Sequence, residues 1–378
     1  MCIDLERIRA DFPITKKFIY FNHATNSPSP IPVINAVHEY LSMRSEYGYS
    51  KIFCELFDKK IGIPRRRVAD FINANDEEIC FTKNTTEGIN IIANAIKWKR
   101  GDEIIITEYE YPANYLPWIR LKKTKGVSLV VLKGKKGVVE HESFEKHITK
   151  KTKLIAVSHV NFFPGSMLDI ENIGRIAREN NILFLIDAIQ SIGTMPFDLK
   201  KISCDFVACG GYKWLLAPEA VAFLYVNKRN ICDLEPSYLG VESTSNVGYE
   251  IMKTEDYTLK PDARRFEGGG LNWLGIVAMD ASIKYIQAIG INKIWKRILG
   301  LRMKLIEELE RKGLEILVSR EKGRESGIVS FRCKEPEKLN RELLRRNIIV
   351  ALRENAIRVS MHFYNTEEEI ENLLKCVT

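Results

Sequence analysis

One lysine stands out in the stretch CGGYKWLLAP, which runs from Cys209 to Pro218. Lys213 follows two glycines and Tyr212, and it precedes Trp214 and an apolar run. A lysine in apolar surroundings is usually paired or chemically used, because burial disfavours its charge. A single lysine of this kind is nevertheless more often exposed at the surface. The stretch therefore predicts either an ordinary surface side chain or an amine held for chemistry.

An acidic residue ends the apolar segment ILFLID (182–187). Ligands of open α/β sheets bind outside the carboxyl ends of the strands, so Asp187 has a functional interpretation there. A helix cap or a turn explains Asp187 equally well when it is taken by itself. Lys213 follows with room for one crossover between the two residues, so both can face a single cleft.

Two further segments have residues of the right types for a phosphate and a planar ring. KNTTEGIN (83–90) puts Thr85 and Thr86 before a helix, where they indicate either a phosphate site or a plain N-cap. EYEYPANYLPW (108–118) puts Tyr111 in an aromatic loop, where it stacks on a ligand or packs as an ordinary aromatic side chain. The four features together fit pyridoxal 5′-phosphate (PLP). Its aldehyde takes a lysine, a carboxylate keeps its ring nitrogen protonated, and a helix N-terminus binds its phosphate.

The elements that must position these residues alternate between strand-like and helix-like segments from about residue 79. This alternation predicts an α/β layer with a mostly parallel sheet. The strand candidates are residues 78–82, 103–107, 128–132, 154–158, 182–187 and 221–226. The helix candidates are residues 86–97 and 169–181, the latter with Asp169 as its N-cap.

The pattern changes after about residue 260, where two long helices are predicted at 273–289 and 293–312. Gly313 ends the second helix. Strand candidates follow at residues 327–333, 348–352 and 356–361. Thr366 and Glu369 have capping-box spacing before a final helix. We expect a smaller α+β domain here.

The length of 378 residues exceeds what one hydrophobic core usually supports. We therefore predict an N-terminal segment at 1–20, a large PLP-binding domain at 21–260 and a small C-terminal domain at 261–378.

Composition excludes several classes of protein. The 57 Lys and Arg against 49 Asp and Glu give a net charge of +8, but the basic residues are scattered, so no nucleic-acid surface is predicted. The eight cysteines form no CxxC pair, which argues against a metal site and a disulfide framework and indicates a cytoplasmic protein. No apolar run approaches the roughly 18–20 residues of a membrane span, and the charged N-terminus does not resemble a signal peptide.

With these motifs in view, the chain resembles the class V aminotransferase group of fold-type I PLP enzymes, which includes the cysteine desulfurases and the isopenicillin-N-epimerase-like proteins. The blocks that carry the resemblance occur in family order. They are YFNHATNSPSP (20–30), FTKNTTEGINIIANAI (81–96), EYEYPANYLPW, VSHVNFFPGSMLDI (157–170), LIDAIQSIGTMPFDL (185–199), CDFVACGGYKWLLAP (204–218), RRFEGGGLN (264–272) and IRVSMHFYNTEEEI (357–370). The resemblance implies a large domain on a seven-stranded, mostly parallel sheet flanked by helices, PLP as cofactor, and a homodimer.

The resemblance also implies roles for individual residues. Lys213 matches the lysine that forms the Schiff base, and Asp187 matches the partner of the ring nitrogen. The other implied cofactor contacts are Thr85, Thr86, Tyr111, Asn161, Gln190 and Tyr212. Arg358 matches the arginine that binds the substrate α-carboxylate, a planar and bidentate task suited to guanidinium. His23 and Ala24 are the other implied substrate contacts. Without the resemblance, Arg358 would be interpreted as a solvated strand arginine.

Three departures from the family pattern bear on function. The desulfurases carry a nucleophilic cysteine on a loop before the carboxylate-binding arginine, whereas ALRENAIRVS runs from Arg353 to Arg358 without one. Gly270 occupies the position of a threonine that touches phosphate across the dimer interface in many relatives. Tyr111 replaces a histidine of the desulfurases, so proton transfer near the ring falls to Lys213 or to the substrate.

The sequence therefore predicts a PLP-dependent enzyme that acts on an amino acid or another small amine, with a class V aminotransferase favoured on family breadth. An epimerase or a C–S or β-elimination lyase uses the same residues, and both stay open. A desulfurase with the usual loop cysteine is disfavoured. A non-catalytic binding protein on the same scaffold is the alternative from another class.

Overall fold

Helices and strands alternate through most of the chain in a computed structural model that describes residues 3–247 and 256–377. The α-helices are α1 (Leu5–Ala10), α2 (Ile31–Tyr47), α3 (Lys51–Lys60), α4 (Pro64–Ile72), α5 (Thr85–Ala95), α6 (Leu116–Lys125), α7 (His141–His147), α8 (Ile170–Glu179), α9 (Lys228–Ile231), α10 (Trp273–Ile289), α11 (Ile291–Arg311), α12 (Pro336–Arg345) and α13 (Glu367–Leu374). The strands are β1 (Ile19–Tyr20), β2 (Ile79–Thr82), β3 (Glu103–Thr107), β4 (Ser128–Leu132), β5 (Thr152–Ser158), β6 (Leu183–Asp187), β7 (Phe206–Gly210), β8 (Ala222–Val226), β9 (Glu315–Ile316), β10 (Ile328–Arg332), β11 (Ile348–Ile349), β12 (Ala351–Arg353) and β13 (Ala356–Ser360).

A seven-stranded sheet has the strand order β2-β8-β7-β6-β5-β3-β4. The pairs from β4 through β7 are parallel, and β8 runs antiparallel to both β7 and β2. Strands β6, β7 and β8 are buried almost throughout, as expected for apolar strands that helices cover on both faces. The predicted α/β fold, a mostly parallel sheet flanked by helices, is confirmed.

Capping side chains define where several helices begin. Asp169 caps α8 by accepting a hydrogen bond from the backbone N–H of Asn172, as predicted. The capping box predicted from Thr366 and Glu369 is also present at the start of α13. The second long helix, α11, ends at Arg311, two residues before Gly313, whose φ of +73° favours glycine.

A second, antiparallel sheet of four strands has the order β12-β13-β10-β9. The residues 348–352, predicted as one strand, form two: β11 pairs with β1 in parallel, and β12 pairs with β13. The N-terminal strand therefore lies beside the C-terminal part of the chain. Helix α10 begins after residue 260, but Met279 and Ile283 belong to the core that also covers the large sheet. The predicted division at residues 20 and 260 stays a prediction.

The small sheet lies near the carboxyl ends of the central strands of the large sheet. Strands β5, β6 and β7 are parallel, so Ser158, Asp187 and Gly210 end side by side there. Strand β13 approaches the same region, because Nη1 of its Arg358 donates to the carbonyl of Phe162, four residues after the end of β5. Among the described helices, none alone has the length and apolar character of a membrane span; α10 and α11 pass that test only as a pair, with a bend of 77° between them.

Candidate active site

Lys213 lies just beyond the carboxyl end of β7, and its side chain is buried (7% exposed). Its Nζ is 5.7 Å from the centroid of the Tyr111 ring. Burial lowers the pKa of Lys213 to about 8, with the charge of Arg358 acting in the same direction and that of Asp187 against it. About a tenth of such an amine is unprotonated at pH 7, far more than for an ordinary lysine, which suits a nucleophile and a general base.

Asp187 is the last residue of β6 and is 2% exposed. Its Oδ1 accepts a hydrogen bond of 3.0 Å from the backbone N–H of Ile189. Burial raises the pKa of Asp187 to about 6, although this hydrogen bond and the charge of Lys213 lower it. A cationic N–H beside this carboxylate would favour its charged form, so the site suits a protonated ring nitrogen.

Thr85 and Thr86 are the first two residues of α5. The N-cap is Asn84, which accepts from the backbone N–H of Glu87 at 2.9 Å, so the two threonines are not the cap. Thr85 Oγ1 accepts a hydrogen bond of 3.0 Å from the N–H of Gly210, and a Cβ on Gly210 would lie 3.2 Å from that oxygen. Glycine at the end of β7 thus lets the first turn of α5 approach the strand that precedes Lys213. The unpaired N–H groups of this turn suit an anion.

Lys213, Asp187 and the two threonines line one cavity, and two tyrosines, Tyr111 and Tyr212, complete its wall. Burial, together with the charge of Asp187, raises the pKa of Tyr212 to about 12, so its phenol remains a hydrogen-bond donor at neutral pH. Tyr111 is 48% exposed, and its ring meets Phe162 edge-on with 5.1 Å between the centroids. Tyr111 also lines the cavity that contains Lys213, so its ring is accessible to a planar ligand there.

Gln190 connects the cavity wall to its surroundings. Its Nε2 donates to the backbone carbonyl of Ala24 at 2.9 Å, and its Oε1 accepts from Trp214 Nε1 at 2.8 Å. These bonds fix the orientation of the amide and bring Ala24 to the back of the wall. The predicted residues that line this one cavity are Thr85, Thr86, Tyr111, Asp187, Gln190, Tyr212 and Lys213.

Asn161 and His23 lie away from the lining of the cavity. Asn161 donates to the carbonyl of Gly137 at 2.7 Å and accepts from the N–H of Gly165 at 2.7 Å, so its amide holds two loops together. His23 is fully buried with its Nδ1 2.8 Å from Ser27 Oγ. The predicted cofactor contact of Asn161 and the predicted substrate contact of His23 stay predictions.

Arg358, on β13, is a second buried cation (2% exposed), and it adjoins the cavity through Phe162 without being one of the residues that line it. Nη1 donates to the carbonyl of Phe162 at 2.8 Å and Nη2 to Thr25 Oγ1 at 2.6 Å, whereas the buried Nε has no hydrogen-bond partner. Burial lowers the pKa of Arg358 to about 9. Because a buried guanidinium without a counterion is unfavourable, this arrangement favours an anionic ligand beside it.

A two-residue turn precedes Arg358. Glu354 and Asn355 have φ values of +46° and +55°, and they join β12 to β13 as a tight hairpin in which Arg353 pairs with Ala356. Seven free cysteines occur in residues 3–247 and 256–377, and none lines the cavity. The hairpin therefore leaves no room for a cysteine-bearing loop at this place.

The sequence analysis missed an acidic residue beside the cavity. Glu110 accepts hydrogen bonds from Thr107, Asn114 and both the N–H and the hydroxyl of Ser158, the last at 2.6 Å. Burial raises the pKa of Glu110 to about 7, against these hydrogen bonds. Ser158 lines the cavity. The signal was an acid directly before Tyr111, in a loop after a predicted strand.

The groups around the cavity fit PLP by their chemistry. A buried lysine amine, a buried carboxylate and a helix N-terminus with hydroxyl groups occur together, as the cofactor requires. Asp187 is 2% exposed, and a single backbone N–H serves its Oδ1, which leaves it able to bind a protonated ring nitrogen.

Comparisons with known proteins agree with this fit. The family model "Aminotransferase class-V" matches residues 19–373. A probable cysteine desulfurase of Pyrococcus abyssi is 35% identical, over 98% of this chain and 96% of its own. The apo structure of the cysteine desulfurase of Thermococcus onnurineus NA1 is 32% identical with a TM-score of 0.91, and the match covers 99% of this chain and 97% of that one. The cystine C–S lyase C-DES, in complex with its product cysteine persulfide, has a TM-score of 0.87 at 23% identity, covering 96% and 98% of the two chains.

Proposed function

This chain belongs to the class V aminotransferase family and is a PLP-dependent enzyme, and from this premise we propose that it is a C–S lyase. Its proposed substrate is a sulfur-bearing α-amino acid, and its proposed product carries the sulfur away on a small molecule. No cysteine of the enzyme accepts the sulfur in this scheme.

The tight hairpin between β12 and β13 is the observation that carries the proposal. The turn of Glu354 and Asn355 takes the place of a loop that could carry a nucleophilic cysteine. The buried cysteines are unsuited to the task, since burial raises the pKa of the thiols of Cys80, Cys204 and Cys209 and disfavours the thiolate. C-DES, which has the same fold, is a cystine C–S lyase by name. The fold therefore accommodates this reaction class.

The residues of the site have distinct tasks in this reaction. Arg358 binds the α-carboxylate, and the missing partner of its Nε gives it the capacity for a further hydrogen bond. Asp187 would hold the ring nitrogen of PLP, the N-terminus of α5 and Tyr212 would hold its phosphate, and Lys213 would anchor it. When bound, PLP supplies an electron-withdrawing ring that acidifies the Cα–H bond of an attached amino acid.

Lys213 is the amine base of the cavity wall, and its pKa of about 8 suits removal of the Cα proton. The Cβ–S bond then breaks, and the sulfur leaves with the bonding electron pair. With cystine and water, the complete reaction yields pyruvate, ammonia and cysteine persulfide, with no external oxidant or reductant.

Transamination, favoured by the sequence analysis, is the second candidate. The specific observation in its favour is that Lys213 is the one amine among the residues that line the cavity, so a single group would both take up and return the proton, as transamination needs. Transamination retains the C–S bond and passes the amino group to a keto acid, so its products differ from those of the lyase.

Product analysis separates the candidates. The PLP-loaded enzyme is mixed with L-cystine or L-cysteine, and pyruvate, alanine, sulfide, persulfide and the sulfur-containing keto acid are measured. A lyase gives pyruvate and released sulfur in equal amounts. Alanine with sulfur bound to protein indicates a desulfurase, and a sulfur-containing keto acid indicates an aminotransferase; either result rejects the lyase proposal.

We further propose that the enzyme acts as a cytoplasmic homodimer. Exposed apolar side chains on α2, α3 and the start of α10 support a second copy as the occupant of this face. They include Ile34, Leu41, Ile52, Trp273 and Leu274, each between 39% and 56% exposed. The free state of the seven described cysteines is compatible with a reducing compartment. Sedimentation equilibrium tests the dimer, with a monomer as the contradicting result.

A further inference from the structure

A second arginine lies on the same face of the hairpin as Arg358. Arg353 pairs with Ala356, and Arg358 pairs with Ala351, in the antiparallel ladder of β12 and β13. Residues directly opposite, and residues two apart on one strand, share a face of a sheet. Arg353 and Arg358 are therefore diagonal neighbours, roughly 7–8 Å apart by the usual spacing of such positions.

Arg353 has unused capacity for an anion. Its Nη1 donates to the carbonyl of the adjacent Leu352 at 2.8 Å, and it has no ion pair with a carboxylate in residues 3–247 and 256–377. It is half-buried, whereas Arg358 is buried, so Arg353 is the more solvent-accessible of the two. Its charge acts on both the pKa of Arg358 and that of Lys213, lowering each, which places it within electrostatic reach of the reacting groups.

The charges of the site are unbalanced without a ligand. Lys213, Arg353 and Arg358 supply three basic groups in and around the cavity, whereas two acidic residues are present there: Asp187, which lines the cavity, and Glu110, which is hydrogen-bonded to Ser158 in the cavity wall. The α-carboxylate of an amino acid provides a counterion for Arg358 only. A second acidic group on the ligand would provide a counterion for Arg353. Because Arg353 is less buried than Arg358, this second group would lie nearer to solvent than the α-carboxylate.

We propose that Arg353 forms a second anion subsite, and that the preferred substrates are α-amino acids with another acidic group at the end of the side chain. A dicarboxylic amino acid or a disulfide-linked pair of amino acids has such a group. This inference rests on the proposed function only in placing the α-carboxylate at Arg358; it does not require cleavage of a C–S bond.

Binding of unreactive acids tests the subsite without any turnover. Succinate and propionate are titrated into the PLP-loaded protein by isothermal calorimetry, for the wild type and for variants Arg353→Gln, Arg353→Lys and Arg341→Gln. Arg341, on α12, is an exposed arginine and serves as the matched control. Melting temperatures verify that each variant is folded.

The wild type is expected to bind succinate about tenfold more tightly than propionate, because one more charge-assisted contact is made. Arg353→Gln removes this preference and leaves propionate affinity unchanged, Arg353→Lys retains part of it, and Arg341→Gln retains all of it. A folded Arg353→Gln protein that still prefers succinate tenfold overturns the subsite, as does a wild type with no preference. Succinate preference with no sulfur release from cystine would reject the proposed lyase activity alone, and sulfur release without the preference would reject the subsite alone.

Discussion

Two buried arginines in the C-terminal half of the chain are used in opposite ways. Arg302, on α11, and Arg358, on β13, are each 2% exposed. Arg302 donates to three backbone carbonyls, those of Ser319, Ser326 and Ile328, and so fixes α11 to the small sheet. Arg358 donates to one backbone carbonyl, that of Phe162, and to the hydroxyl of Thr25, and its buried Nε has no hydrogen-bond partner.

The difference lies in the remaining hydrogen-bond capacity rather than in burial. Burial lowers the pKa of Arg302 to about 10 and that of Arg358 to about 9, so both are in environments that disfavour a charge. The protein itself satisfies Arg302, which indicates a structural role. Arg358 is left for a ligand to satisfy. Lys213 belongs with Arg358, since no carboxylate of the described ranges forms an ion pair with it.

The largest effect is expected for Lys213→Ala. Turnover should fall by at least about 10³-fold, because both the cofactor anchor and the general base are lost. The melting temperature should stay the same or rise, since a buried amine is removed. Steady-state assays and thermal melts measure both quantities, with Lys51→Ala as a control at a side chain that is 90% exposed. A variant with wild-type turnover would contradict the assignment of Lys213.

Arg302→Gln tests the structural side of the comparison. The free energy of unfolding should fall by about 3 kcal/mol, because buried carbonyls lose a charged donor. The value of kcat/KM per folded molecule should be unchanged. Urea unfolding and assays below the unfolding midpoint check these expectations. A large loss of kcat/KM at unchanged stability would place Arg302 in the functional class instead.

Arg358→Gln should show the reverse pattern. We expect kcat/KM to fall by about 10²-fold through loss of the carboxylate contact. The free energy of unfolding should change by less than about 1 kcal/mol, because the lost hydrogen bonds are offset by removal of an unpaired buried charge. The same two measurements apply. Loss of stability equal to that of Arg302→Gln would remove the distinction between the two arginines.

The smallest expected effect is on pH dependence. Below its pKa an amine is protonated and does not attack an aldehyde, so the rate of PLP uptake by the cofactor-free protein should rise with pH to a midpoint near 8. In Arg358→Gln the midpoint should move upward, because the charge of Arg358 lowers the pKa of Lys213. Stopped-flow absorbance follows the uptake. A midpoint near 10.5, the ordinary value for lysine, would show that burial does not tune this amine.

Periodicity and chain order were sufficient to predict much of this molecule. The apolar run that ends in Asp187 predicted a buried strand, and the resemblance to a known family identified Lys213, Thr85 and Tyr111, which line one cavity in the structure. Strand β7, which ends three residues before Lys213, was not predicted. Three of its five residues, Ala208, Cys209 and Gly210, have small side chains, so the segment gives a weak strand signal.

Other features depend on contacts between distant parts of the chain. The hydrogen-bond partners of Arg302 and Arg358 lie 17 to 333 residues away in the chain and are brought to them only by folding. The sequence therefore could not distinguish Arg302, whose donors the protein satisfies, from Arg358, which we propose to bind a ligand. The pairing of β11 with β1 is similarly non-local, which is why residues 348–352 were predicted as one strand. Glu110 was missed because burial raises its pKa, and its hydrogen bond to Ser158 spans 48 residues, so both depend on the fold.

The most direct test of the account is whether sulfur leaves the site without an enzyme thiol. In a variant with Ser at positions 2, 54, 232, 333 and 376, the buried Cys80, Cys204 and Cys209 are the remaining cysteines. The PLP-loaded variant is given L-cystine, and pyruvate, small-molecule persulfide and protein-bound sulfur are measured together. We expect wild-type rates, equal amounts of pyruvate and persulfide, and no sulfur on the protein. Loss of sulfur release in a folded variant, or alanine as product with persulfide on a wild-type cysteine, would contradict the account.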